Sequence, residues 1–114
     1  MKATERAWAA GFFDGEGTVY CWSNGRQMPV VRAAVAQAGP AGRRVLCRFR
    51  QAVGVGTIYG PYQQNNGQTP YYRLDFNLAA TTHLRKILWP YLSGPKKKQF
   101  IAAETKRRKI CSSI

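Results

Sequence analysis

Two β-hairpin patterns, each led by a helical pattern, fill most of this chain, and that alternation leaves few ways to fold it. Thr18-Val19-Tyr20-Cys21-Trp22 is a β-branched and aromatic run, Ser23-Asn24-Gly25 is a turn signal, and Val30 to Ala36 is a second apolar run. Val55 to Gly60 and Tyr71 to Leu78 repeat the arrangement around a polar loop that includes Gln63, Asn65 and Gln68. Thr4 can cap a first helix over residues 5–15, and Val45, Leu46, Phe49 and Val53 mark a second over 43–53, stopped by Gly54. Thr81 or Thr82 can cap a third, which holds Leu84, Ile87, Leu88 and Trp89 and ends at Pro90; a fourth starts after Gly94-Pro95. The order αββαββαα predicts an α+β fold with a four-stranded antiparallel sheet and helices on one face. At 114 residues there is material for one core, and so for one domain over 1–114.

Period-two alternation then says what the other face carries. In the last strand Tyr72, Leu74, Phe76 and Leu78 would point to the helices, leaving Tyr71, Arg73, Asp75 and Asn77 open; the first strand leaves Thr18, Tyr20, Trp22 and Asn24 outward. Aromatic, arginine and amide side chains on an uncovered sheet suit base edges and phosphates, although an ordinary solvated face tolerates many of the same residues. The charge favours the first reading: 18 Lys and Arg against 5 Asp and Glu give a net +13, so a polyanion is the expected partner. Membrane surfaces are polyanions too, but a helix lying on one would set its bases against an apolar stripe, and here they are spread along the chain. A nucleic acid is therefore the expected partner and a membrane is not. The candidate contacts are Thr18, Tyr20, Trp22, Asn24, Arg26, Arg32, Arg43, Tyr59, Gln63, Tyr71, Arg73, Asp75 and Lys98.

Other classes fall away. A chain 45% hydrophobic and 12% aromatic is too apolar for a disordered basic tail. Its apolar runs stop well short of the roughly 18 residues a membrane span needs, and residues 1–6 show no signal-peptide pattern, so an intracellular, unsecreted protein is expected. Cys21, Cys47 and Cys111 are odd in number and widely spaced, and read as reduced, partly buried thiols. Gly54-Val55-Gly56 lacks the spacing of a dinucleotide site, the single His83 has no ligand partner at helical spacing, and Trp89-Pro90-Tyr91-Leu92 reads as core plus helix stop.

The first helix pattern is unusual in two ways. Ala7, Gly11 and Gly15 recur every four residues, so one face carries almost no side chain and a second backbone can approach closely. The same helix of another protomer is the straightforward partner, in a two-fold dimer with Ala7, Gly11, Phe12, Asp14 and Gly15 at the interface; the chain's own strands are the alternative. Asp14 and Glu16 also fall at the helix C-terminus, where the macrodipole disfavours a carboxylate by a few tenths to ~1 kcal/mol. A divalent cation would relieve that conflict, carboxylates with backbone carbonyls suit Mg²⁺, and such an ion beside a phosphodiester can support its hydrolysis.

The stretch Trp8-Ala9-Ala10-Gly11-Phe12-Phe13-Asp14-Gly15-Glu16-Gly17-Thr18-Val19 resembles the LAGLIDADG motif of homing endonucleases, with Ala9 in place of the usual Leu. Gln37, Leu46, Gly54 and Gly56, then Pro90-Tyr91-Leu92 and Lys96-Lys97-Lys98-Gln99, are similar to further segments of single-motif members of that family, so the resemblance covers nearly the whole chain. It implies a homodimeric endonuclease that cuts double-stranded DNA with Mg²⁺, which Mn²⁺ can replace. It also implies that Glu16 is the metal-binding carboxylate with a share from the Gly15 carbonyl, that Asp14 is structural, that Gln37 organises active-site water, and that Lys96 lies near the scissile phosphate. Arg43 and Lys98 remain alternatives for the last two roles. A strand of ~8 residues spans ~26 Å, which sets a pseudo-palindromic site of roughly 16 to 22 base pairs for a dimer. A DNA-binding protein or RNA-splicing maturase of the same fold without cleavage is the alternative, and a basic RNA-binding module a more distant one.

Overall fold

The computed structural model describes residues 2–25 and 28–113. Its elements are α1 (Ala3–Glu16), β1 (Gly17–Trp22), β2 (Val30–Ala38), α2 (Gly39–Val53), β3 (Thr57–Tyr62), β4 (Tyr71–Phe76), α3 (Leu78–Leu88) and α4 (Gly94–Ser112), with a 3-10 turn at Trp89–Tyr91. The αββαββαα order is as expected. The two hairpins join through their inner strands, giving the sheet order β1-β2-β4-β3 with every neighbour antiparallel.

Several boundaries differ from the sequence expectation, each for a local reason. Helix α1 begins at Ala3 with Lys2 at its N-cap, so Thr4 lies inside the first turn and caps nothing. Helix α2 starts at Gly39 because Pro40 supplies the first-turn φ, and it ends where Gly54 adopts φ +79. Strand β4 stops at Phe76 because the Asn77 side chain accepts a hydrogen bond from the Ala80 N–H at 2.9 Å and so opens α3 there. Leu78 thus belongs to a helix and is exposed, and Thr81 is buried, its hydroxyl linking the Ala33 N–H to the Phe76 carbonyl.

The core lies between the sheet and the helices. Phe13 of α1, Phe49 of α2, Phe76 of β4 and Phe100 of α4 are fully buried and meet ring to ring at 6.1–6.2 Å. Burying each such side chain is worth about 1.5–3 kcal/mol. Ala9 and Ala10 are completely enclosed in the same core. Cys21, Cys47 and Cys111 are free and half-buried, as read from their spacing. No helix among the described residues is long and apolar enough to cross a membrane.

Candidate active site and nucleic-acid interface

Each of the five acids can be followed to its partner. Glu5 pairs with Arg48 at 3.0 Å, Asp75 with Arg73, and Glu104 with Arg85 at 2.6 Å. Asp14 accepts hydrogen bonds from the Ser93 N–H at 3.1 Å and the Ser93 hydroxyl at 3.0 Å. Ser93 caps α4, so the carboxylate that ends α1 lies at the positive end of another helix, which offsets its unfavourable position on its own. Glu16 differs from the other four: exposed at the end of α1, it meets the neutral Gln37 amide, whose Nε2 donates to Oε2 at 3.1 Å.

The structure therefore brings Glu16 and Gln37 together, with Gly15 exposed beside them. Lys96 comes to the same junction but does not reach the open face. Its side chain is buried, with Nζ donating to the Gly17 carbonyl at 2.6 Å and to Gln99 Oε1 at 3.1 Å, under the Phe13 ring. Burial lowers its pKa and the charge of Asp14 pushes back. Lys96 thus holds α4 to the α1–β1 junction. Lys98 is exposed on α4. Arg43 is on the helix side, over the Tyr72 ring at 5.9 Å, so it does not join the sheet-face contacts.

The open face carries the rest of the expected set. Thr18, Tyr20 and Trp22 on β1, Arg32 on β2, Tyr59 on β3, and Tyr71, Arg73 and Asp75 on β4 alternate with buried Val19, Val31, Ala33, Leu74 and Phe76. Gln63 and Asn24 are exposed just beyond strand ends, and Arg26 lies outside the described residues. Arg32 lies over the Trp22 ring at 4.9 Å. Arg73 donates to Asp75 from Nε and to the Tyr20 hydroxyl from Nη2 at 3.3 Å, and the Asp75 hydrogen bond raises its already high pKa, so it stays charged. Two shallow cavities open here, about 360 Å³ beside Arg32, Tyr59 and Arg73 and about 250 Å³ where Glu16 meets Thr18, Tyr20 and Arg73. The second joins the acid to the open face. Tyr62, 5.2 Å from the Tyr71 ring, also lines the larger cavity; strand β3 runs to residue 62 past an irregularity after Tyr59, at Gly60-Pro61.

The small-residue stripe of α1 faces solvent. Ala7, Gly11 and Gly15 are exposed, and a Cβ at either glycine would meet nothing within 4 Å, so the stripe does not pack on the chain's own strands. Two expected interface residues are otherwise engaged: Phe12 stacks on Trp8 at 5.6 Å and packs on Phe49 at 5.4 Å, and Asp14 is held by Ser93. Phe12, next to Gly11 in sequence, is turned round the helix toward α2, whereas Asp14, seven residues from Ala7, stands beside the stripe and is held by Ser93 at the start of α4.

No family model matches the chain, and no curated protein matches it. Its fold does match solved structures of homing endonucleases. The LAGLIDADG homing endonuclease I-GzeII, in complex with a DNA target, aligns with a TM-score of 0.68 at 18% identity, over 99% of this chain and 38% of its own. I-CvuI, solved with the I-CreI target in 2 mM Mg with the DNA not cleaved, aligns at 0.63 and 20% identity over 89% of this chain and 64% of its own. The group I intron-encoded I-CeuI, complexed with DNA, aligns at 0.61 and 14% over 97% and 57%. The chain thus spans less than two thirds of the length of each of these three. It has the LAGLIDADG homing endonuclease fold.

Proposed function

We propose that this chain is a site-specific DNA endonuclease that works as a homodimer with a divalent cation, Mg²⁺ or Mn²⁺, acting in the compartment that holds its DNA. The observation that carries this reading is the isolation of Glu16: four of the five acids are neutralised by an arginine or a helix N-terminus, and the fifth lies at the rim of the open sheet face. The residues fit a cation only in part within one chain, since no group of three or more His, Cys, Asp or Glu converges among the described residues. A second protomer across the bare α1 stripe would bring a second Glu16, and carboxylates with the Gly15 carbonyls suit Mg²⁺. A cation bound there supplies a water of lowered pKa and charge against the attacking and leaving oxygens. Gln37 keeps the Glu16 carboxylate in one orientation, Asp14 and Lys96 fix the helix end that carries it, and the sheet binds the duplex. The DNA-bound neighbours support duplex DNA as the partner.

The six residues of β1 span ~20 Å, or about six base pairs, so the sheet alone covers a shorter half-site than an eight-residue strand would. Glu16→Gln tests the proposal. Cleavage with Mg²⁺ or Mn²⁺ should vanish while duplex binding is kept. Unaltered protein that binds its site and never nicks it would instead support the non-cleaving reading.

A further inference from the structure

The Arg73 guanidinium is the most constrained cation on the open face. It lies on β4 opposite Ala36 of β2, and Asp75, two residues on, lies opposite Ala34. Those alanines put no bulk above β2, so Arg73 reaches across that strand to Tyr20 on β1. Asp75 takes the single Nε–H and the Tyr20 hydroxyl takes one hydrogen of Nη2. An arginine has five N–H groups, so three remain, all on the two terminal nitrogens, and the plane that carries them is fixed from two sides. This is the presentation that matches two adjacent acceptors end-on. In the major groove guanine offers such a pair, O6 and N7, whereas adenine offers N7 beside a donor.

We propose that Arg73 reads a guanine in the major groove of each half-site, with Asp75 and Tyr20 as the residues that orient it. This rests on the DNA-binding reading above and adds the base that is read. The position follows from the same geometry. Arg73 lines the small cavity that also contains Glu16, whereas Trp22 sits at the far end of β1. The guanine therefore lies on the inner, cleavage-centre side of the bases beneath Trp22. A phosphate contact by Arg73 is the competing use of the same charge, and it has a different signature: weaker binding to every sequence and a smaller salt slope, without any change in base preference.

The experiment is selection of binders from a pool of random duplexes with the divalent cation withheld, for unaltered protein, Arg73→Lys and Asp75→Asn. The unaltered protein should enrich a symmetric motif with one guanine per half-site toward its centre. Arg73→Lys keeps the charge and loses the fork, so guanine preference there should fall about 5- to 150-fold while affinity for non-target duplex is kept. Asp75→Asn should weaken the preference less. A motif without that guanine, or an Arg73→Lys protein that keeps it, overturns the inference and leaves DNA binding standing. If unaltered protein enriches no motif, the proposed function falls and takes the inference with it. Circular dichroism of each variant separates misfolding from lost readout, and Asp75→Asn, which keeps the shape of the side chain, decides the case if Arg73→Lys does not fold.

Discussion

Asp14 Oδ1 accepts both the backbone N–H and the hydroxyl of Ser93, at 3.1 and 3.0 Å, and so links the end of α1 to the start of α4 across 79 residues of sequence. Ser93 at the same time caps α4 by accepting from the Lys96 N–H at 3.5 Å. Charge-assisted hydrogen bonds of this kind contribute about 1.5–3 kcal/mol, and loss of a cap costs about 1 kcal/mol. Asp14→Ala and Ser93→Ala should each destabilise the protein by about 1–2 kcal/mol in urea unfolding. Because the two residues are in contact, the double variant should cost less than the sum of the singles. Strict additivity would show that the contact contributes nothing.

Gly42 controls Gln37. A Cβ at position 42 would come within 2.8 Å of the Gln37 Cβ and 2.9 Å of its carbonyl carbon, so Gly42→Ala must move the strand that carries the Glu16 partner. Alanine gains up to ~1 kcal/mol of helix propensity there, against about 1–3 kcal/mol for overpacking on backbone. The expected result is a less stable protein whose cleavage rate falls more than its affinity for DNA. A variant that is more stable and cuts at the normal rate would show that α2 can shift without disturbing Gln37.

What the sequence disclosed follows the range of the interactions. Both hairpins and all four helices were legible because their signals are periodic and local, and the open-face set came from alternation alone. The β2–β4 pairing was not, since it joins residues 33–38 to 71–76 and no local pattern specifies it. For the same reason Asp14 read as one half of an unfavourable acid pair, because Ser93 is far off in sequence. The family resemblance set Lys96 near the scissile phosphate; that the first turn of α4 turns its side chain inward onto the Gly17 carbonyl is not visible in a run of three lysines. Glu16 stood out in the sequence by its motif, and the structure adds a physical distinction: of the five acids it alone lacks a compensating charge or helix end.

Lys96 also makes a pH prediction. Burial lowers its pKa from the ordinary 10.5, with the charge of Asp14 opposing. Between the lowered value and 10.5 the unfolded chain holds more protons at this position than the folded one, so stability rises with pH through that window. Below the window the penalty of burying the ammonium is constant. The stability of the unaltered protein relative to Lys96→Met should therefore improve as pH is raised toward 10.5, measured by urea unfolding at a series of pH values. A difference that stays flat across that range would mean that the ammonium is as well solvated folded as unfolded.

The bare stripe of α1 allows stability and association to be separated at one residue. A Cβ at Gly11 meets nothing within 4 Å, so Gly11→Ala should stabilise the isolated chain by about 0.5–1 kcal/mol through the unfolded state and helix propensity. Gly11→Leu fits the isolated chain equally well, because the position is exposed, but it would stand between two α1 helices crossing at close range. Sedimentation of the unaltered protein should give twice the 12.8 kDa chain mass, and Gly11→Leu should give the chain mass with thermal stability measured on the monomer intact. Cleavage should be lost with the dimer, since each Glu16 would then lack its counterpart, while weak duplex binding through one sheet persists. If Gly11→Leu remains dimeric and active, the two chains meet elsewhere, and the pairing of Glu16 residues across α1 is wrong even if the nuclease assignment stands.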